Sequence, residues 1–418
     1  MDSISVYGGV HLQGKVKIHG SKNAALPILA ATILTRGESV IYNCPRISDV
    51  FAMGQLLKSL GCTVRVCFDR MIINTSDICK NCLPADAVKG MRSSLCMLGA
   101  LLSRNRELCM EYPGGCVIGA RPIDLHLQAL KAMGAEFEEQ NEKIYATVPK
   151  GFHGTEITFP FVSVGATENV ILAAVLAEGK TTIHGAAREP EIEALCHYLI
   201  CCGACISGVG TDTITIHGVN SLHGTCFRVP ADRIVAGTYL FATMAAGGNV
   251  WLEDAPCGHM KAVLELAEAM GGVCQVFEDG LYVQSGERMK QIGYIKTDTY
   301  PGFPTDLQSL VLQAVVQAPG ECVIEESIFE NRFHVVEPLR KMGADITIMD
   351  AKHLLVKGPS ALKGCLVEAK ELRGGAALVA AGLWAEGTTI ISGCKYVMRG
   401  YENICRDLRE LGARISSV

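Results

Sequence analysis

The chain has 418 residues, 49% of them apolar and only 19% charged, which is material for more than one buried core and excludes extended disorder. A net charge of −5 provides no global basic field for nucleic acid or an anionic membrane, so an anionic ligand would need a local cluster of Lys and Arg. The odd total of 19 cysteines, without the spacing of a small disulfide domain, fits a reducing compartment.

The opening MDSISVYGGV lacks the charged and apolar regions of a signal peptide, and runs such as AALPILAATIL are too short to span a bilayer. A soluble cytoplasmic protein is expected. An apolar helix is then predicted at KNAALPILAATIL, followed by an amphipathic helix ending in LKSLGCTVR. The same pair recurs down the chain: MRSSLCMLGALLS with LKAMGAEFE, GATENVILAAVLA with LICCGACIS, and DRIVAGTYLFATMAA with AEAMGGVCQ. PTDLQSLVLQAVVQA with LRKMGADIT, and LRGGAALVAAGLWA with LRELGARIS, complete the series. The second phrase of each pair reads as a helix end, a Gly at the C-terminal turn and a strand. Its glycines, Gly61, Gly134, Gly203, Gly271, Gly343 and Gly412, lie 68 to 73 residues apart. That unit is too long for a solenoid repeat and reads as a duplicated supersecondary module. The first helix of each pair is apolar nearly all round and is expected inside, with strands and amphipathic helices outside it.

The starts of the apolar helices are polar: Lys22/Asn23, Arg92/Ser93, Thr167, Asp232/Arg233, Thr305/Asp306 and Arg373. Equivalent modules would aim these ends the same way within a domain, and helix N-termini with their free N–H groups suit anions. Ordinary capping is the simpler account of any single one. Arg121 and Arg399 share a slot, each 13 residues before its repeat glycine, and arginine forks suit carboxylate and phosphate oxygens. Cys116 follows a Gly-Gly pair in EYPGGCVIGARPIDLH. Most cysteines in such a chain are buried core, but a thiol on a tight turn near Arg121 has the setting of a reactive one. Asp306, in FPTDLQS, reads either as a helix cap or as a general base beside a cationic cluster. Cys79/Cys82 and Cys202/Cys205 have C-x-x-C spacing, but no paired-histidine motif accompanies them and the second pair falls in the repeat, so no metal is expected.

Taken together, GSKNAALP, MRSSL, PGGCVIGARPIDLH, SVGATEN, AAREPEI, FPTDLQ, FENRF, LRGGAALV and MRGYENI resemble the enolpyruvyl transferase family, specifically its UDP-N-acetylglucosamine 1-carboxyvinyltransferase branch. The matches run in order over essentially the whole chain. The resemblance implies an α/β fold of two inside-out α/β barrel domains, each of three βαβαββ-type modules in the EPT/RTPC-like arrangement, closing over a cleft. Residues 21–230 would form the domain carrying the cysteine loop, and residues 1–20 with 231–418 the other.

It also implies transfer of the enolpyruvyl group of phosphoenolpyruvate to the 3′-hydroxyl of UDP-N-acetylglucosamine with release of phosphate, the first committed step of peptidoglycan synthesis. No cofactor or metal would be needed, and nucleic acid or membrane partners are not implied. Lys22, Arg121 and Arg399 would hold phosphoenolpyruvate, with Asn23 near the reacting centre. Cys116 would protonate the methylene carbon, and Asp306 would assist deprotonation of the sugar hydroxyl or the later elimination. Arg92, Arg121, Pro122, Ile123, Asp124, Leu125, Ser163, Val164, Gly165, Asp306 and Ile328 would line the UDP-sugar site, and Arg332 and Arg373 count among the substrate-binding residues. Phe161 stands where many relatives have a Lys that contacts the nucleotide, which bears on affinity rather than reaction type. The alternatives are an enolpyruvyl transferase for another acceptor, which Cys116 and GARPIDL argue against, and a silent UDP-sugar-binding paralogue, which the intact Lys22, Cys116, Asp306 and Arg399 argue against.

Overall fold

The computed structural model describes residues 3–78, 80–112, 123–286 and 288–417. It divides into two compact units, one between Gly20 and Pro230, the other formed by the chain up to His19 together with the chain from Ala231 onwards. Each unit is built from three modules of the same plan.

A module begins with an apolar helix. In the unit from Gly20 these are Lys22–Ala31, Met97–Asn105 and Val164–Ala174. In the other unit they are Arg233–Ala246, Gln308–Val315 and Leu372–Trp384. Three of the six are shorter than the apolar runs suggest, because the chain tightens into 3-10 turns at Thr32–Leu34, Arg92–Cys96 and Thr305–Leu307, as helix ends commonly do. A strand follows, then an amphipathic outer helix, then an antiparallel pair of strands. The six repeat glycines end the outer helices, all with positive φ between 86° and 111°, a conformation that costs any residue with a Cβ. The repeat is therefore a repeat of helix stops.

The last strand of a module leaves its own sheet and pairs in parallel with the next one. Glu156–Thr158 pairs with Lys180–His184, and Cys226–Arg228 returns to Glu38–Tyr42, closing the order of three. The other unit repeats this with Tyr294–Lys296 on Gly320–Glu325 and Leu366–Glu368 on Thr388–Ser392. Its third module lacks two strands at its C-terminal end, and the start of the chain supplies them. Ser3–Tyr7 inserts between Thr388–Ser392 and Arg414–Ser417, and Leu12–Lys17 pairs in parallel with Gly248–Glu253.

Strands alternate, as in Glu38–Tyr42, where Ser39 and Ile41 point inward, and His353–Gly358, where Leu354 and Val356 do. One face of each sheet is thus packed and the other solvated. The outer helix Lys261–Ala269 buries little beyond Val263 and Ala267, whereas Leu372–Trp384 is buried from Arg373 to Leu383. The apolar helices form the core of their unit and the sheets lie outside them, the reverse of the usual sheet-centred α/β order.

Within a unit the core helices run parallel. Gln313 Nε2 donates to Phe241 O (3.4 Å), Trp384 Nε1 to Gln313 Oε1 (3.1 Å) and Gln317 Nε2 to Ala245 O (2.7 Å), joining C-terminal ends. Ser103 Oγ donates to Ala173 O (3.0 Å), and Arg104 to Thr35 O (3.1 Å), doing the same in the other unit. The N-terminal ends are gathered as a consequence.

Candidate active site

The gathered helix starts concentrate positive dipole ends, and the chain places its charged residues there. In the unit that includes Ala231 onwards, Asp306 is the centre. Arg332 Nη2 donates to its Oδ1 (2.7 Å) and Arg373 Nη2 to its Oδ2 (3.2 Å). The guanidinium-bearing side chains are only 2% and 3% exposed, against 27% for Asp306. Burial by itself pushes the Asp306 carboxyl up, but Arg373 and Arg332 outweigh it and hold the group well below the usual carboxylate range. Burial opposes charge on Arg373 as well, and Asp306 more than restores it, leaving the guanidinium's pKa raised.

The arginines are themselves held. Arg332 Nη1 donates to Thr305 Oγ1 (3.0 Å), which donates to Glu326 Oε2 (2.8 Å). Glu326 Oε1 accepts from the backbone N–H groups of Ile328 (2.9 Å) and Phe329 (3.1 Å), fixing the turn on which Ile328 sits. Arg373 Nη1 donates to the Tyr401 hydroxyl (3.3 Å), which lies 2.7 Å from Thr238 Oγ1. Because Thr238 gives its proton to Ile234 O (2.8 Å), Tyr401 is the donor to Thr238, and the chain Arg373 to Tyr401 to Thr238 has one direction. Glu371 caps the Leu372–Trp384 helix through the Arg373 and Gly374 N–H groups. The Nε atoms of Arg332 and Arg373 are buried and have no hydrogen-bond partner among the described residues. Arg399 ends the short Val397–Arg399 turn and is half-buried.

In the unit from Gly20, Lys22 opens its helix behind Ser21, whose hydroxyl accepts from Ala24 N (3.3 Å). Lys22 Nζ is paired with Asp49 Oδ2 at 2.8 Å, the two side chains being 11% and 6% exposed. Asn23 is exposed next to it. Arg92 opens the 3-10 turn before Met97, and Ser163 caps Val164–Ala174 by accepting from Ala166 N (3.3 Å). Val164 and Gly165 are half-buried in that first turn.

Behind Gly165 lies a polar network. Gly99 N–H donates to Asn169 Oδ1 (2.8 Å), which fixes the amide so that Asn169 Nδ2 faces His126 Nδ1 (2.9 Å). An NH2 group only donates, so His126 Nδ1 accepts and the neutral ring carries its proton on Nε2. Asp124 begins the Asp124–Ala132 helix and is exposed, Leu125 is half-buried, and Ile123 is buried in the core.

The structure therefore brings Asp306, Arg332 and Arg373 into direct contact. Lys22, Asn23, Arg92, Ser163, Val164 and Gly165 sit at helix starts of the unit from Gly20, and Ile328 and Arg399 belong to the other. Cys116, Arg121 and Pro122 lie outside the described residues. Two helix-start residues are used internally. Thr167 donates to Ser163 O (2.8 Å) and accepts from Ala187 N (3.1 Å), and Asp232 is a buried cap accepting from Ile234 N (2.8 Å) and Val235 N (3.1 Å). Asp49, Glu326, Thr238, Tyr401 and His126 escaped assignment from sequence, since each acts through a partner distant in the chain. Among the described residues, no group of three or more His, Cys, Asp or Glu side chains is placed to hold a metal ion, and no helix is long and apolar enough to cross a membrane.

Residues 6–408 match the family model for EPSP synthase (3-phosphoshikimate 1-carboxyvinyltransferase), which sets the chain in a class of mixed α/β transferases. The solved enolpyruvyl transferase NikO from Streptomyces tendae has the same fold, with a TM-score of 0.90 over 99% of this chain and 98% of that one at 23% identity. EPSP synthase from Acinetobacter baumannii aligns with a TM-score of 0.75 over 100% of both chains at 19% identity. Closer in sequence are UDP-N-acetylglucosamine 1-carboxyvinyltransferase 2 of Caldanaerobacter subterraneus, 43% identical over 99% of each chain, and UDP-N-acetylglucosamine 1-carboxyvinyltransferase of Acinetobacter baylyi, 43% identical over 100% of each. The chain belongs to the UDP-N-acetylglucosamine 1-carboxyvinyltransferase family.

Proposed function

We propose that this chain transfers the enolpyruvyl group of phosphoenolpyruvate to the 3′-hydroxyl of UDP-N-acetylglucosamine, releasing phosphate, as a cytoplasmic enzyme at the start of peptidoglycan synthesis. The observation that carries the reading is similarity from end to end, 43% identity with 99% of both chains covered. We read the two units as inside-out α/β barrels, the first running from about residue 21 to 230 and the second combining residues 1–20 with 231–418; buried helices and outer sheets in each support this.

Addition to an enol ether needs a proton on the methylene carbon while the hydroxyl attacks the neighbouring carbon, so an acid and a base must flank the substrates. Cys116 is the proposed acid and Asp306 the proposed base. Lys22, Arg121 and Arg399 take phosphoenolpyruvate, with Asn23 beside the reacting carbon. Arg92, Pro122, Ile123, Asp124, Leu125, Ser163, Val164, Gly165 and Ile328 take the UDP-sugar. The cationic helix ends hold two multiply charged ligands together, which raises their effective concentration.

The ion pairs of Asp306 give this reading a refinement. A carboxylate held by two guanidiniums is a poor base. Substrate anions that draw Arg332 and Arg373 towards themselves would release part of that hold and raise the basicity of Asp306 only when substrate is present.

The test is mass spectrometry of the nucleotide after incubation with phosphoenolpyruvate, with 3-phosphoshikimate offered as a competing acceptor. The enolpyruvyl ether of UDP-N-acetylglucosamine is the expected product; modification of the shikimate alone, or of neither, refutes the assignment. Fosfomycin should label Cys116, and labelling confined to another cysteine would remove Cys116 from the mechanism.

A further inference from the structure

Outside the site, two cysteines meet across a sheet edge. Cys109 lies in the strand Glu107–Glu111, and Cys82 forms an isolated parallel bridge with it. The backbone closes the bridge on both sides, with Leu83 N donating to Cys109 O (2.9 Å) and Cys109 N to Asn81 O (2.9 Å). This bridge stands where the other modules place their incoming parallel strand, as Glu156–Thr158 does on Lys180–His184. Directly paired residues of neighbouring parallel strands present their side chains on the same face, with backbones about 4.8 Å apart. That separation lies within the roughly 4.4–6.8 Å that a disulfide spans between Cα atoms.

Both sulfurs are free thiols, Cys82 exposed and Cys109 half-buried. Partial burial first, and then the neighbouring Cys109 thiol, push the Cys82 thiol up, while the Lys143 ammonium pulls it the other way. The paired backbone therefore sets the two thiols side by side, and on balance their surroundings keep Cys82 protonated, with the Lys143 ammonium acting in the opposite sense. Neither residue belongs to the proposed active site.

We propose that Cys82 and Cys109 form a dithiol that closes reversibly to a disulfide by exchange with a low-molecular-weight disulfide. One cysteine, as its thiolate, attacks a sulfur of the small disulfide and expels one thiolate, leaving a mixed disulfide. The second cysteine then attacks the protein sulfur of that mixed disulfide and expels the other thiolate. Two protein thiols are oxidised, one small disulfide is reduced, and the two protons finish on the two released thiols. The new bond closes a ring from residue 82 to 109 that contains the Arg92–Cys96 turn and the Met97–Asn105 helix. It anchors that segment to the strand running on towards the stretch that carries Cys116. Exposure makes such a bond readily reduced, as a reversible modification requires.

The full-length protein is titrated with oxidised glutathione, quenched with an alkylating agent and mapped as peptides. The expected result is a Cys82–Cys109 linked peptide with loss of two alkylatable thiols, both restored by dithiothreitol. Cys67, Cys201, Cys205 and Cys226, also exposed, should remain alkylatable under the same titration. In Cys109→Ser the exchange should stop halfway, with glutathione retained on Cys82. A Cys79–Cys82 link, stoichiometric zinc released when the thiols are modified, or Cys82 and Cys109 alkylated as readily as Cys67 after oxidation would each overturn the proposal. An unmodified Cys82 in Cys109→Ser would do the same.

Discussion

Replacing Asp306 by Asn tests the electrostatic centre of the candidate site. Asn keeps one acceptor oxygen but turns an NH2 group towards the second guanidinium, donor against donor. Arg332 retains Thr305 Oγ1 and Arg373 retains the Tyr401 hydroxyl, yet two side chains only 2% and 3% exposed lose their shared counter-charge. Removing one partner of a buried ion pair costs about 3–5 kcal/mol, and the retained acceptors favour the lower end. At about 2–4 °C per kcal/mol for a unit of this size, the unfolding of the unit that contains Asp306 should move down by about 6–12 °C at neutral pH. The pH dependence has a definite sign. The folded pKa of Asp306 is depressed, so its contribution is complete above the unfolded value of about 3.9 and disappears as the pH falls from there through the folded value. Calorimetry of wild type and Asp306→Asn should show a wide gap in Tm at pH 7 that narrows below about pH 4. An unchanged Tm at pH 7, or a gap that persists undiminished in acid, would refute the ion-pair account.

Other substitutions probe the supports of the site. Asp49→Ala removes the carboxylate at 2.8 Å from Lys22 and should raise KM for phosphoenolpyruvate by about tenfold, the equivalent of one charge-assisted hydrogen bond; steady-state kinetics decide this. Tyr401→Phe keeps the ring under Arg373 but deletes the hydroxyl between Arg373 and Thr238, for an expected loss of about 1–3 kcal/mol in chemical denaturation. Gly165→Ala would set a methyl 2.9 Å from His126 Cε1, so calorimetric titration should show weaker UDP-N-acetylglucosamine binding with phosphoenolpyruvate KM little changed.

The module plan was legible because its signals are local. An apolar helix, an amphipathic helix and a glycine stop recur within each stretch, and Gly61, Gly134, Gly203, Gly271, Gly343 and Gly412 all take the positive φ that the helix stop requires. The candidate site was only partly legible. Asp306 could be picked out, but its partners lie 26 and 67 residues further on, and no pattern around FPTDLQS distinguishes a cap from an ion-paired carboxylate. The Lys22–Asp49 pair was hidden for the same reason. Thr167 and Asp232 show the converse: residue types that would hold an anion at a helix start also satisfy the helix itself, and here they do. The Gly99–Asn169–His126 network depends on two core helices coming close enough for a backbone N–H to fix an amide, a tertiary fact with no trace in spacing.

The most direct test of the central claim is phosphate release from phosphoenolpyruvate, followed with and without UDP-N-acetylglucosamine. Sustained release only when the sugar nucleotide is present, lost in Cys116→Ser while UDP-N-acetylglucosamine still binds, is the predicted result. Release that ignores the sugar nucleotide, or none under either condition, would contradict it.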